Sequence, residues 1–281
     1  MIAFDLSNVN QGHGVYLLLI LHIMRYMNTD PTQRFSPRAE NYAKYRPGYP
    51  ESLYEYLAAE AGLQGTDKVA DLGSGTGLLS ALFLNRGHIV YGIEPNAEMR
   101  AYAERLLAGE PGFHSLEGRA EAIPLAEGAV EFVVVGQAFH WFDPQNAKIE
   151  MRRVLADGKQ AALIWNRRDP ANCFQVAYEA LLDKYGTDYR QVDQQQSVTD
   201  GKIATFFSPN HVKKEIFPNR QTLDEAGLKG RLLSSSYIPM ADHPQFGAMM
   251  ADLANLFNRF QDGGTVHFDY QTTVYHGSIH S

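Results

Sequence analysis

The sequence predicts an α/β fold, a mostly parallel sheet with helices on both faces. Three observations carry this. Short apolar runs alternate with amphipathic helical stretches from residue 68 to residue 165, the rhythm of βαβ units. A glycine-rich turn joins the first such run to the helix after it. The run 131–135 is almost continuously apolar, as in a strand buried on both faces.

The elements follow in order. Residues 51–62 read as a helix with Leu53, Tyr54 and Leu57 on one stripe. Residues 68–72 form a first strand. A helix follows over 78–86, and Gly87 stands where it would end. A second strand covers 89–94, and Asn96 is placed to cap a helix over 97–108. Strands at 113–117 and 131–135, a helix at 147–155 and a fifth strand at 160–165 complete the alternation. The rhythm then breaks. A helix is predicted over 171–185, a polar irregular stretch over 191–210, a strand over 213–217, a helix over 244–260 and a last strand over 266–275. A stretch as long as 170–210 between strands reads as a lid-like insertion over a site.

Composition narrows the function classes. The chain has 281 residues and a formal net charge of −7. An acidic balance disfavours a phosphate-binding surface, so no nucleic-acid partner is expected. Cys173 is the single cysteine and cannot pair internally, which fits a reducing cytoplasm. Residues 15–24 form an apolar run of ten, against the roughly twenty that a membrane span needs. No Lys or Arg precedes it, so it lacks the charged start of a signal peptide. It reads as an extra helix, or as translation from an upstream start, with Met24 and Met27 as alternative first residues. Residues 1–33 are therefore an N-terminal extension, and 34–281 the functional domain.

The sharpest motif is the stretch 71–77, Asp-Leu-Gly-Ser-Gly-Thr-Gly, where the first strand meets the first helix. Glycines there let the backbone approach a ligand. A dinucleotide fingerprint spaces its glycines G-x-G-x-x-G. Here Gly73, Gly75 and Gly77 bring the third one residue early, and Leu78 takes its place. Asp71 stands two residues before the first glycine. It would repel a diphosphate and attract an ammonium. Glu94 ends the second strand about twenty residues on, the spacing of a carboxylate that holds ribose hydroxyls. Pro95 keeps it extended. The stretch 118–124 after the third strand carries Ala120 and Glu121, and a side-chain acceptor there could take an adenine amino hydrogen. The stretch 137–143, Gln-Ala-Phe-His-Trp-Phe-Asp, crowds aromatics and a histidine at the sheet edge. Aromatic faces such as Trp141 suit a sulfonium. His140 reads as a general base, as a donor to substrate, or as a hydrogen-bonded core residue.

In this order the motifs FSPRAENYAKYRPGYP, VADLGSGTG, YGIEPNAEM, GRAEAIPL, QAFHWFD and VHFDYQTTVYHG resemble the class I S-adenosylmethionine-dependent methyltransferases. The resemblance is strongest to their small-molecule, trans-aconitate methyltransferase-like branch and covers about residues 34–275. It implies a Rossmann-like seven-stranded sheet with an antiparallel last strand, S-adenosylmethionine as cofactor, and no metal. It implies that Asp71, Gly73, Ser74, Gly75 and Gly77 wrap the methionine part and that Glu94 holds the ribose. Ala120 and Glu121 would hold the adenine, and Gln137 would line the pocket. Tyr45 and Arg46 resemble an element that closes over the cofactor, with Arg46 facing its carboxylate.

The expected activity is methyl transfer to a small molecule. Arg167 and Arg168 follow the fifth strand and could orient a carboxylate acceptor, or pair with Asp169. The competing classes are a non-catalytic protein that binds the cofactor and a nicotinamide-dependent oxidoreductase.

Overall fold

The computed structural model describes residues 38–190 and 198–280. The apolar run 15–24 and residues 191–197 of the expected insertion lie outside them. Among the described residues, no helix is long and apolar enough to cross a membrane.

Seven strands build one sheet: β1 (Lys68–Leu72), β2 (Ile89–Ile93), β3 (Phe113–Leu116), β4 (Val130–Gly136), β5 (Leu155–Arg168), β6 (Lys213–Leu223) and β7 (Val266–Ser278). Their order is β3-β2-β1-β4-β5-β7-β6. The first five pair in parallel. β7 slots between β5 and β6, antiparallel to both. The chain steps outward from β1 to β2 and β3, then returns to the other side of β1 for β4. Ligands bind such sheets at this reversal, beyond the carboxyl ends of the strands.

Alternation along the strands fills two cores. Val133 and Val135 of β4 face one side with Ala161, Leu163 and Trp165 of β5. They pack on α5 (Pro144–Val154) through Ala147, Met151 and Val154, and on α7 (Asp200–Phe207) through Ile203 and Phe207. Phe132, Val134, Ala162 and Ile164 face the other side. They pack on α2 (Glu51–Glu60) through Leu53 and Leu57, and on α3 (Leu78–Leu84) through Leu79 and Phe83. Asn96 caps α4 (Ala97–Leu106) as its position predicts, accepting from the Glu98 and Met99 N–H groups at 3.0 Å each.

A third core lies apart from these. It joins α6 (Cys173–Tyr185), α8 (Glu225–Leu233) and α9 (Phe246–Phe260) to the start of β7. Phe268 of β7 is fully buried at its centre, edge-on to Phe174 and Tyr178 with ring centroids 5.0 Å away in both pairs. The apolar stripe of α9 enters this core through Met249, Leu253 and Phe257. These helices form a cap at the end of the sheet where β5 reaches Arg168.

β5 and β6 run well past the expected 160–165 and 213–217, and two helices were not expected where they stand. The polar stretch 191–210 contains α7. The segment 225–233, where the residue pattern predicts no element, forms α8 (Glu225–Leu233). Its two glycines read as helix breakers, but Gly230 serves packing: a Cβ there would sit 2.0 Å from the ring of Tyr45 in α1 (Ala39–Tyr45). Arg38, just before α1, donates to the carbonyls of Ser235 and Ile238 beyond α8. The N-terminal helix is thereby clasped to the cap.

Phe268→Ala is expected to destabilise the protein by about 3–5 kcal/mol through loss of aromatic packing, read as a lower urea midpoint.

Candidate active site

A cavity of about 840 Å³ opens at the carboxyl ends of β1, β2, β4 and β5, beneath the cap. Among the described residues, nine buried side-chain nitrogen and oxygen atoms lack a hydrogen-bond partner, and seven belong to residues lining this cavity. Buried polar atoms in native proteins are normally paired. Their concentration here marks the cavity as built for a polar ligand.

The glycine loop forms one wall. The N–H groups of Gly73 and Ser74 bond to the Ile93 carbonyl at 2.8 and 3.2 Å, which folds the loop across the end of β2. Gly73 has φ +66°, and a Cβ there would come 2.5 Å from that of Ala138. Gly77 has φ +84° and starts α3. A Cβ on it would strike Leu107 at 2.7 Å, so this glycine is fixed by packing rather than by cavity lining.

Asp71 is 1% exposed. Ser80 Oγ donates to its Oδ2 at 2.7 Å, and its Oδ1 has no partner. Burial pushes its carboxyl up to about 7, against the Ser80 bond, and the nearby Glu94 charge pushes the same way. Glu94 accepts from the Gly75 N–H at 3.0 Å and the Asn96 N–H at 2.9 Å, one bond to each oxygen. Each oxygen keeps a lone pair for a further donor. The same bonds tie the glycine loop to the loop after β2.

Ala120 and Glu121 also line the cavity. Glu121 Oε1 accepts from the Asp143 N–H at 2.8 Å, joining the loops after β3 and β4. Gln137 has φ +60°, a left-handed conformation that costs a non-glycine residue about 1 kcal/mol or more. Its N–H is held by the Ile164 carbonyl at 2.9 Å. His140 faces the cavity with both ring nitrogens buried and unpartnered, and stacks at a tilt on Trp141, 4.8 Å between centroids. Burial lowers its pKa to about 4, so the ring is neutral at physiological pH.

The far end of the cavity is basic. Arg167 reaches it, but its guanidinium donates to the Val198 carbonyl at 3.0 Å. Arg168 pairs with Glu179 at 2.7 Å rather than with Asp169, and donates to the Tyr189 hydroxyl at 3.0 Å. Arg46 stacks on Tyr42, 4.9 Å from its centroid, and its Nε is unpartnered. Arg231 of α8, with Tyr237 and Tyr270, completes this end. The sequence carried one signal for Arg231: it interrupts the apolar stripe of Leu228 and Leu232. Among the described residues, no cluster of three or more His, Cys, Asp or Glu side chains could hold a metal.

A parallel sheet, a glycine turn at its reversal point and a carboxylate at the end of β2 form the arrangement at which α/β sheets commonly bind nucleoside-bearing ligands. Residues 70–163 match the profile of the methyltransferase domain family. An uncharacterized methyltransferase of Mycobacterium bovis is 38% identical over 140 residues, 50% of this chain and 55% of that protein. The chain thus aligns with about half the length of that relative. An uncharacterized methyltransferase of Schizosaccharomyces pombe is 26% identical over 86% of this chain and 95% of its own. A solved structure from Anaeromyxobacter dehalogenans, described as that of a "Putative Type II Methyltransferase", shares the fold, with TM-score 0.63 and 20% identity over 84% of this chain and 98% of its own. Residues 70–163 thus carry the pattern of a methyltransferase domain, and the chain is similar to methyltransferases over the stretches that align with these relatives.

His140 is expected to stay neutral from pH 8 down to about pH 4 in a histidine NMR titration. A midpoint near the ordinary 6.5 would show a solvated ring instead.

Proposed function

We propose that this protein transfers the methyl group of S-adenosylmethionine to a small-molecule carboxylic acid. The observation that carries the cofactor half is Asp71, a buried carboxylate with one oxygen unpaired at the cavity wall. A cationic amino group is the partner that such a carboxylate needs. When bound, the cofactor supplies an activated methyl on a sulfonium. The chain's own residues position and desolvate. The glycine loop and Asp71 take the methionine amino end, and Arg46 takes its carboxylate. Glu94 offers its two remaining lone pairs to the ribose hydroxyls. Ala120 and Glu121 take the adenine edge, and Gln137 holds the wall between cofactor and acceptor.

The acceptor half rests on charge. A carboxylate oxygen already has its lone pair and loses no proton on methylation. His140, held near pKa 4, is a weak base and suits such an acceptor as a neutral wall beside Trp141. The arginines at the far end favour an anion. Holding two reactants in line in a dry cavity can supply on the order of 7–11 kcal/mol.

Gly73→Asp and Glu94→Ala should each weaken S-adenosylmethionine binding at least tenfold by calorimetry. Unchanged affinity in both would contradict the site, and a thermal shift with a nicotinamide cofactor alone would replace it.

Asp71 adds a pH signature. Its carboxyl is pushed up to about 7 in the protein alone, and an ammonium partner lowers it again. Binding therefore releases a proton below that pH. Affinity should rise up to tenfold per pH unit toward pH 7 and level off above it. Asp71→Asn should bind weakly and without this slope.

A further inference from the structure

The cap holds a cation whose charge the cofactor reading leaves unanswered. Arg231 is 2% exposed. Its Nε donates to the Tyr270 hydroxyl at 3.4 Å, and its guanidinium lies 5.6 Å over the ring of Phe268. Its Nη1 is buried without a partner, and the side chain lines the cavity. Among the described residues it has no carboxylate partner. The acids at this end are already engaged. Glu179 pairs with Arg168, and Asp183 pairs with Arg190 through two bonds of 3.0 Å. Asp169 accepts from the Ala171 N–H at 3.0 Å.

The surroundings report the same surplus. Burial alone would raise the Tyr237 phenol, yet the charges of Arg168, Arg46 and Arg231, with a bond to Ser235, hold it below its ordinary value. Arg46 is lowered by burial and by the charge of Arg231. A buried guanidinium without a counter-charge is costly. If Arg46 is answered by the cofactor's carboxylate, Arg231 still is not.

We propose that Arg231, with the hydroxyls of Tyr237 and Tyr270, forms a cap subsite that binds an anionic group of the acceptor, a carboxylate or phosphate, separate from the oxygen that receives the methyl. The two groups are distinct for a chemical reason. A guanidinium that chelates a carboxylate bidentately engages both oxygens in charge-assisted bonds. Those bonds draw charge from both oxygens, so the chelated group is a poorer nucleophile toward the sulfonium. The group at Arg231 anchors the molecule, and a second nucleophilic group faces the methyl. This rests on the acceptor reading above and names the residue that selects the acceptor. Arg231 touches substrate without taking part in the bond exchange.

The test uses small probes and does not need the acceptor's identity. Thermal shifts are measured with malonate, inorganic phosphate and the neutral isostere malonamide, each with and without saturating S-adenosylhomocysteine. That ligand fills the place of the cofactor's own carboxylate. Malonate or phosphate should raise Tm by about 2 °C or more in both conditions, and malonamide should not. A shift from malonate alone assigns a carboxylate, and one from phosphate alone a phosphoryl group. In Arg231→Gln the anion shift should vanish while the S-adenosylhomocysteine shift remains. Arg231→Lys should keep part of it, which guards against a variant that fails to fold. Equal shifts from malonate and malonamide, no shift from either anion in the native protein, or a full anion shift in Arg231→Gln would overturn the subsite. Loss of the S-adenosylhomocysteine shift in the native protein would instead count against the cofactor reading, and the malonate comparison would still decide this one.

Discussion

Two carboxylates, Asp71 and Glu94, line one cavity, and the site is organised around that charge. Among the described residues neither carboxylate forms an ion pair, although Arg100 donates to the Glu94 carbonyl at 2.8 Å and its charge steadies that carboxylate. Backbone N–H groups and Ser80 hold them, and Glu94 raises Asp71 further. This arrangement is costly in a protein alone and is relieved by a cationic ligand. The rest of the local structure keeps the two acids in place. Gly73 turns tightly against Ala138 so that the loop crosses the end of β2, and Glu94 closes the crossing by bonding Gly75.

The opposite end has the opposite sign. Arg46, Arg168 and Arg231 converge where the cap meets β5 and β7, with Glu179 as the paired acid. The cavity is thus acidic over the glycine loop and basic under the cap. A ligand pair that fits it carries positive charge at one end and negative at the other. The cap and the N-terminal helix form a connected enclosure: Arg38 and Tyr45 fasten α1 to α8, and Asn166 and Asn219 each donate to the Gly48 carbonyl, at 3.1 and 2.9 Å.

The parallel half of the fold was legible because each strand and helix there carries its own period, and because glycines and Asn96 punctuate them. The antiparallel placement of β7 followed from family resemblance, since residue pattern alone does not say which strand a C-terminal segment joins. Helix α8 was not legible. Gly227 and Gly230 lower its propensity for a reason that lies in another part of the chain, the Tyr45 ring. At the site, the loop residues and Glu94 could be named from spacing. The roles of Arg167 and Arg168 could not, because the Val198 carbonyl and Glu179 that engage them are set by tertiary packing. Arg231 was hidden for the same reason: a single arginine in an apolar stripe gains meaning only when the cavity it faces is known.

The central claim, methyl transfer to a carboxylate, is tested most directly by turnover with methyl-labelled S-adenosylmethionine over a panel of small acids, phenols and amines. The account predicts label in an acid product that is released as methanol by mild alkali, as from a methyl ester. Label that survives alkali, in an amine, ether or carbon-methylated product, would contradict it.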